Sequence, residues 1–144
     1  MERTYSHVRR DPPPVGYTQP PFPSLFWPPQ RRTVVLYELD DIWKFTLYWT
    51  LILYGIFHLG AVGVAVIMQV GKRRSHWKYL WLVPLIYFLI AGFEAVIAGT
   101  VVGLMIGAGY LAGGFEMSTW VPFVWGWVNV LVLIVSSFRI QGGL

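Results

Sequence analysis

Three side chains with chemistry to offer stand inside long apolar stretches: His58, Glu94 and Asn129. A histidine and a carboxylate can share a proton, and an asparagine both donates and accepts hydrogen bonds. In helices rising about 1.5 Å per residue, His58 lies roughly 20 Å before Gly71, Glu94 about 21 Å after Leu80, and Asn129 about 15 Å before Arg139. One polar residue from each stretch therefore reaches a similar depth. A lone carboxylate in hydrocarbon costs on the order of 3 kcal/mol or more on insertion scales. Pairing with histidine, or protonation, relieves that cost. The functional reading is a His58–Glu94–Asn129 cluster that binds a proton, a lipid headgroup or a partner's charge. The plainer reading, which is preferred, is one structural hydrogen bond that fixes helix register, with Glu94 protonated.

Beyond these three, the chain offers little to a reaction. It has no cysteine, which excludes disulfides, thiolate nucleophiles and cysteine metal sites. One histidine and one carboxylate make a poor metal site. No serine sits in a nucleophile-elbow pattern, and no phosphate-cradling or dinucleotide fingerprint is present. His76 falls in a basic loop, where it is expected to be solvated or at lipid headgroups. No inverted repeat is apparent, and three helices are few for an alternating-access carrier. Neither an enzyme nor a self-sufficient transporter is expected, and no cofactor is implied.

The elements that must position these residues are membrane spans. The 144 residues are 56% hydrophobic, 17% aromatic and only 12% charged, about half the charge of an ordinary soluble domain. A soluble protein this small could not hide that much apolar surface. The expectation is an all-α integral membrane protein with three helices at about 45–70, 79–109 and 119–138. A crossing needs roughly 20 apolar residues. The first and third stretches fit, whereas the second is long for one upright crossing. It must tilt, or its glycine-rich end must leave the helix. Residues 34–44 have helical apolar spacing and suggest a short interfacial helix or the first turns of span one. Domain organisation is then a proline-rich tail, 1–33, followed by a transmembrane domain, 34–144.

Eight of the ten prolines lie in that tail. Proline at this density blocks helix and sheet, so extended or disordered chain is expected. "PPFP" is a weak match to a proline-motif ligand. Phe22, Phe26 and Trp27 could instead rest at the headgroup level. Aromatics also flank the spans: Trp77, Tyr79 and Trp81 at one end, Trp43, Tyr48, Trp49 and Trp120 at the other.

Glycine recurs through "AGTVVGLMIGAGYLAGGFEM", Ala98 to Met117. Ala91, Ala95, Gly99, Gly103 and Gly107 fall at intervals of four, which returns to nearly the same face of a helix. Between helices in lipid there is no hydrophobic drive, and small residues let backbones approach. The five form a helix-packing stripe, facing spans one and three or another protein. Gly109, Gly113 and Gly114 fall off it and are expected where the helix unwinds.

Net charge is +4, but the cations form no nucleic-acid face. Lys72, Arg73, Arg74 and Lys78 crowd the loop between spans one and two, whereas the next loop carries only Glu116. The positive-inside rule puts the basic loop in the cytosol, the tail in the lumen and the C-terminus in the cytosol. Arg31, Arg32 and Lys44 argue mildly the other way.

The chain resembles the transmembrane protein 170 family from about Ile42 to the C-terminus. The resemblance rests on the three-span pattern, "FH" at Phe57 and His58, the short basic loop, "AG" at Ala98 and Gly99 followed by "AGYLAGGFEM", and "VLIVSSFRI" closing span three. Glu94 is not part of that pattern; His58 is. The resemblance implies residence in the endoplasmic reticulum and nuclear envelope. It implies a scaffold that sets the balance of membrane sheets and tubules. Its alternative is a membrane-embedded adaptor subunit of a bridge-like lipid transfer protein. The partners expected are the lipid bilayer, other membrane proteins of these kinds and a possible second copy.

Overall fold

The computed structural model describes residues 15–27, 34–69 and 81–141. Its helices are α1 (Leu39–Gln69), α2 (Leu82–Gly113) and α3 (Trp120–Gln141). All three contain spans long and apolar enough to cross a membrane, so the chain is an all-α three-span protein. α1 starts earlier than expected, at Leu39, and α2 and α3 end later, at Gly113 and Gln141, while the other three ends fall one to three residues short of the expected bounds. A helix satisfies its own backbone in lipid, and ending it early exposes polar groups.

α1 begins where Asp40 and Asp41 occupy its first turn, favourable against the positive end of the helix dipole. Residues 34–38 are not part of a helix. Val35–Leu36 form a short strand, β1, antiparallel to β2 (Met117–Ser118), pairing Val35 with Ser118 and Leu36 with Met117. Of the two expectations for residues 34–44, no separate interfacial helix forms: residues 39–44 are the first turns of span one, and Val35–Leu36 before them are strand. Leu36, Ile42, Phe45 and Met117 form a buried cluster beneath it.

α2 runs through Gly109 and Gly113 without unwinding. It stops at Gly114, which takes the left-handed conformation at φ 67° that glycine adopts freely. Its N–H donates to the Leu111 carbonyl (3.3 Å), and Phe115 N–H donates to that of Tyr110 (3.0 Å). Together these are the paired bonds of a Schellman cap, with the Phe115 ring against Tyr110 as its apolar contact. Of the off-stripe glycines, only Gly114 ends the helix.

Residues 15–27 carry no helix or strand, as their prolines require. The expectation of disorder does not extend to them, because they are fastened to the bundle. Tyr17 Oη donates to the Val35 carbonyl (2.9 Å), and Thr119 Oγ1 donates to that of Ser24 (2.7 Å). The Phe22 ring lies 5.1–5.5 Å from the rings of Phe45, Tyr48 and Trp49. Residues 1–14 and 28–33, and the basic loop with Lys72, Arg73, Arg74 and Lys78, lie outside the described residues.

Candidate functional site

The centre of the molecule is a seam between α1 and α2. The buried residues of α2 are Ala91, Ala95, Gly99, Gly103 and Gly107, the five of the stripe. What fills the groove is α1 of the same chain. A Cβ placed on Gly107 would meet Leu39 and Ile42, one on Gly103 would meet Trp43 and Thr46, and one on Gly99 would meet Leu47 and Thr50. Tyr54 and Ala95 share the next buried cluster. The helices are antiparallel and both step by four: Ile42 faces Gly107, Thr46 faces Gly103, Thr50 faces Gly99 and Tyr54 faces Ala95. One more turn in the same register places His58 opposite Ala91. This is a ridge set into a groove.

The ridge is polar and its hydroxyl groups are hydrogen-bonded, whereas the indole N–H groups of Trp43 and Trp49 beside it are buried with no hydrogen-bond partner among the described residues. Thr46 Oγ1 donates to the Ile42 carbonyl and Thr50 Oγ1 to that of Thr46, both at 2.8 Å. In lipid such back-bonding hides a hydroxyl without a partner helix. Thr50 Oγ1 also accepts a bond from Asn129 Nδ2 (3.1 Å), and Tyr54 Oη donates to the Asn129 carbonyl (3.3 Å). Asn129 thus ties α3 to the ridge through both its side chain and its backbone. His58 Nδ1 lies 2.9 Å from the Tyr54 carbonyl, which can only accept, so this nitrogen carries the proton. The His58 ring stacks on that of Tyr54.

The three intramembrane polar residues do not meet as one cluster. Asn129 is buried and bonded to α1. His58 is half-buried and bonded within α1. Glu94 is exposed on α2, one residue off the buried stripe. It makes no hydrogen bond or ion pair among the described residues. The physical reason is rotation. Successive helical residues turn by about 100°, so a residue next to Ala95 cannot share its face.

α3 meets α1 through a glycine that the sequence reading did not single out. A Cβ on Gly126 would lie 3.1 Å from that of Trp49 and 3.2 Å from Leu53 Cδ1. Trp49 packs on Phe123 at 4.7 Å, and Phe57 on Trp127 at 6.0 Å. Trp43 and Trp49, expected as interface markers, are half-buried in these seams. Thr46, Thr50 and Tyr54 were also missed. Their signal was present: with His58 they step by four, in the same rhythm as the stripe they fill.

Among the described residues, no group of three or more histidine, aspartate or glutamate side chains is placed to hold a metal ion. The hydroxyls of Thr50 and Tyr54 are engaged with Asn129, which fixes the register of α3 on α1.

Three apolar helices locked by a small-residue seam define a multi-pass integral membrane protein. The chain belongs to the transmembrane protein 170A/B-like family, whose match spans residues 35–144, from the first residue of β1 onward. It is also 42% identical over 134 residues to the uncharacterized protein YPR153W of Saccharomyces cerevisiae, covering 91% of this chain and 92% of the relative. That coverage exceeds what residues 35–144 alone can supply, so the likeness reaches into the segment before β1. No solved structure matches the chain.

Proposed function

We infer that this protein is a non-enzymatic scaffold of the endoplasmic reticulum and nuclear envelope that sets the balance between sheet and tubule. The observation that carries the reading is the α1–α2 seam. The small-residue groove is spent on building the bundle, and the buried groups of Thr50, Tyr54 and Asn129 are spent on its register. What is left to act on the surroundings is shape and surface: a rigid packed half, with long helices standing in lipid. Beyond Tyr54 in α1, and before Ala91 in α2, no described residue of either helix is buried. Membership of the family supports the assignment to this membrane system. The basic loop at residues 72–78 supports a cytosolic C-terminus and a luminal strand end.

A second reading, an adaptor subunit of a bridge-like lipid transfer protein, draws on Glu94. This carboxylate faces outward at mid-span without a partner among the described residues, and a neighbouring protein's donor or cation would match it. Expression of the chain in cells lacking it, with imaging of sheet and tubule area, tests the first reading. Gly99→Leu, which breaks the seam, should abolish rescue, and Glu94→Gln should leave it whole. Loss of rescue by Glu94→Gln, together with loss of a stoichiometric, very large lipid-transfer partner on purification, would move the function to the adaptor reading.

A further inference from the structure

The segment 15–27 is fastened firmly, yet it presents two of its largest apolar side chains outward. Trp27 is 83% exposed and Phe26 50% exposed. Phe22, four residues earlier, is 37% exposed but lays its ring against Phe45, Tyr48 and Trp49. The segment therefore has an inner aromatic that holds it to the protein and an outer pair that faces away. Its depth is fixed as well. Trp120 Nε1 donates to the Phe26 carbonyl (3.0 Å), and the buried Thr119 holds the Ser24 carbonyl (2.7 Å). Trp120 is the first residue of the third membrane span. The outer pair is thus tied to the level at which α3 enters the membrane. Phe115, 63% exposed on the connection from α2 to α3, lies at the same end.

We propose that Phe26 and Trp27 form an interfacial anchor whose partner is the headgroup–acyl boundary of the protein's own bilayer, in the leaflet at the strand end. Indole and phenyl rings gain most at this boundary, where an apolar face is covered and the indole N–H still reaches water or a lipid carbonyl. Phe22, in the same segment, packs on Tyr48, which is 44% exposed on the first membrane span, so the bilayer that covers α1 reaches the segment and no second macromolecule is needed. The tail then becomes a strap, with Phe22 as its rivet and Phe26 and Trp27 as its foot in the lipid. A foot of this kind adds cross-section to one leaflet only.

The natural absence of cysteine makes the test clean. Trp27→Cys in the full chain, carrying an environment-sensitive fluorophore, is reconstituted into phosphatidylcholine nanodiscs. Thr18→Cys, exposed in the same segment, carries the same label as a reference. The proposal expects a shallow doxyl-phosphatidylcholine to quench position 27 at least about twofold more than position 18, and iodide in the buffer to do the reverse. Because the label itself is apolar, Phe26→Cys is read with Trp27 present and again with Trp27→Ser; lipid quenching at position 26 should fall when the indole is lost. Iodide quenching at position 27 equal to that at position 18 overturns the proposal. So does lipid quenching at position 26 that ignores the loss of Trp27.

Discussion

A side chain grown on Gly103 would place its first carbon 3.2 Å from Thr46 Cβ and 3.2 Å from Trp43 Cα. The two helices approach so closely here that any Cβ requires the neighbours to give by a few tenths of an ångström. Gly99 is tighter still, with Leu47 Cα at 3.0 Å. Here the obstacle is backbone, which cannot swing aside. Gly109, by contrast, has nothing within 4 Å. Gly99→Leu is expected to cost at least the 1–3 kcal/mol typical of overpacking, roughly. Gly109→Leu should be neutral. Thermal unfolding in mild detergent, followed by size-exclusion recovery, separates the two; equal losses would mean the seam does not govern stability.

The Asn129–Thr50 bond is expected to be the strongest side-chain link between α3 and α1. A double-mutant cycle with Asn129→Leu and Thr50→Val should return a coupling of about 0.6 to 1.7 kcal/mol, the span found for hydrogen bonds between membrane helices. Thr50→Val should destabilise, since it strands the buried Asn129 amide, whereas Asn129→Leu should cost less, because Thr50 keeps its bond to the Thr46 carbonyl. A coupling of zero would remove the bond from the account.

Glu94 should behave in the opposite way. It holds nothing together in the described residues, so Glu94→Gln and Glu94→Leu should leave detergent stability unchanged or raise it. A large loss of stability in either variant would show that the carboxylate is part of the bundle after all.

The tail strap has a titratable fastening in Tyr17, whose neutral hydroxyl donates to Val35. Burial, and then the negative charge of Asp41, hold its pKa above the ordinary 10.0. The neutral phenol is the docked form, so its contribution is complete below about pH 10 and is lost as pH rises through the higher folded value. A fluorophore on Thr18→Cys should report release of the strap only in that alkaline range. Tyr17→Phe should remove the transition; its persistence would assign the release to another group.

The stripe on α2 was legible because five small residues at one interval leave no other face for packing. Its complement on α1 was not, because Thr46 and Thr50 read as polar interruptions rather than as knobs. A threonine that bonds its own backbone presents its methyl group to the neighbour, and this is visible only once the partner is in place. Gly126 stood alone in α3, and a lone glycine carries no period. The strand at Val35–Leu36 was hidden because its partner, Met117–Ser118, is far along the chain, while the local apolar spacing suits a helix equally well. Glu94 was placed in a cluster because depth was counted and rotation was not. The prolines of the tail announced their lack of helix correctly. They could not announce Phe22, whose binding site is assembled from three residues of α1.

The central claim is that the groove of α2 is filled by α1 of the same chain. The direct test is the double variant Thr46→Cys/Gly103→Cys in an otherwise cysteine-free protein, oxidised in native membranes. The two Cβ atoms would start 3.2 Å apart, just below the roughly 3.5–4.5 Å of a disulfide, so the bond needs the helices to give by only a few tenths of an ångström. The expected product is an intramolecular bond: a reducible mobility shift of the monomer, in high yield and without a dimer band. Disulfide-linked dimers, or no bond while both thiols remain reactive, would contradict it and return the groove to an outside partner.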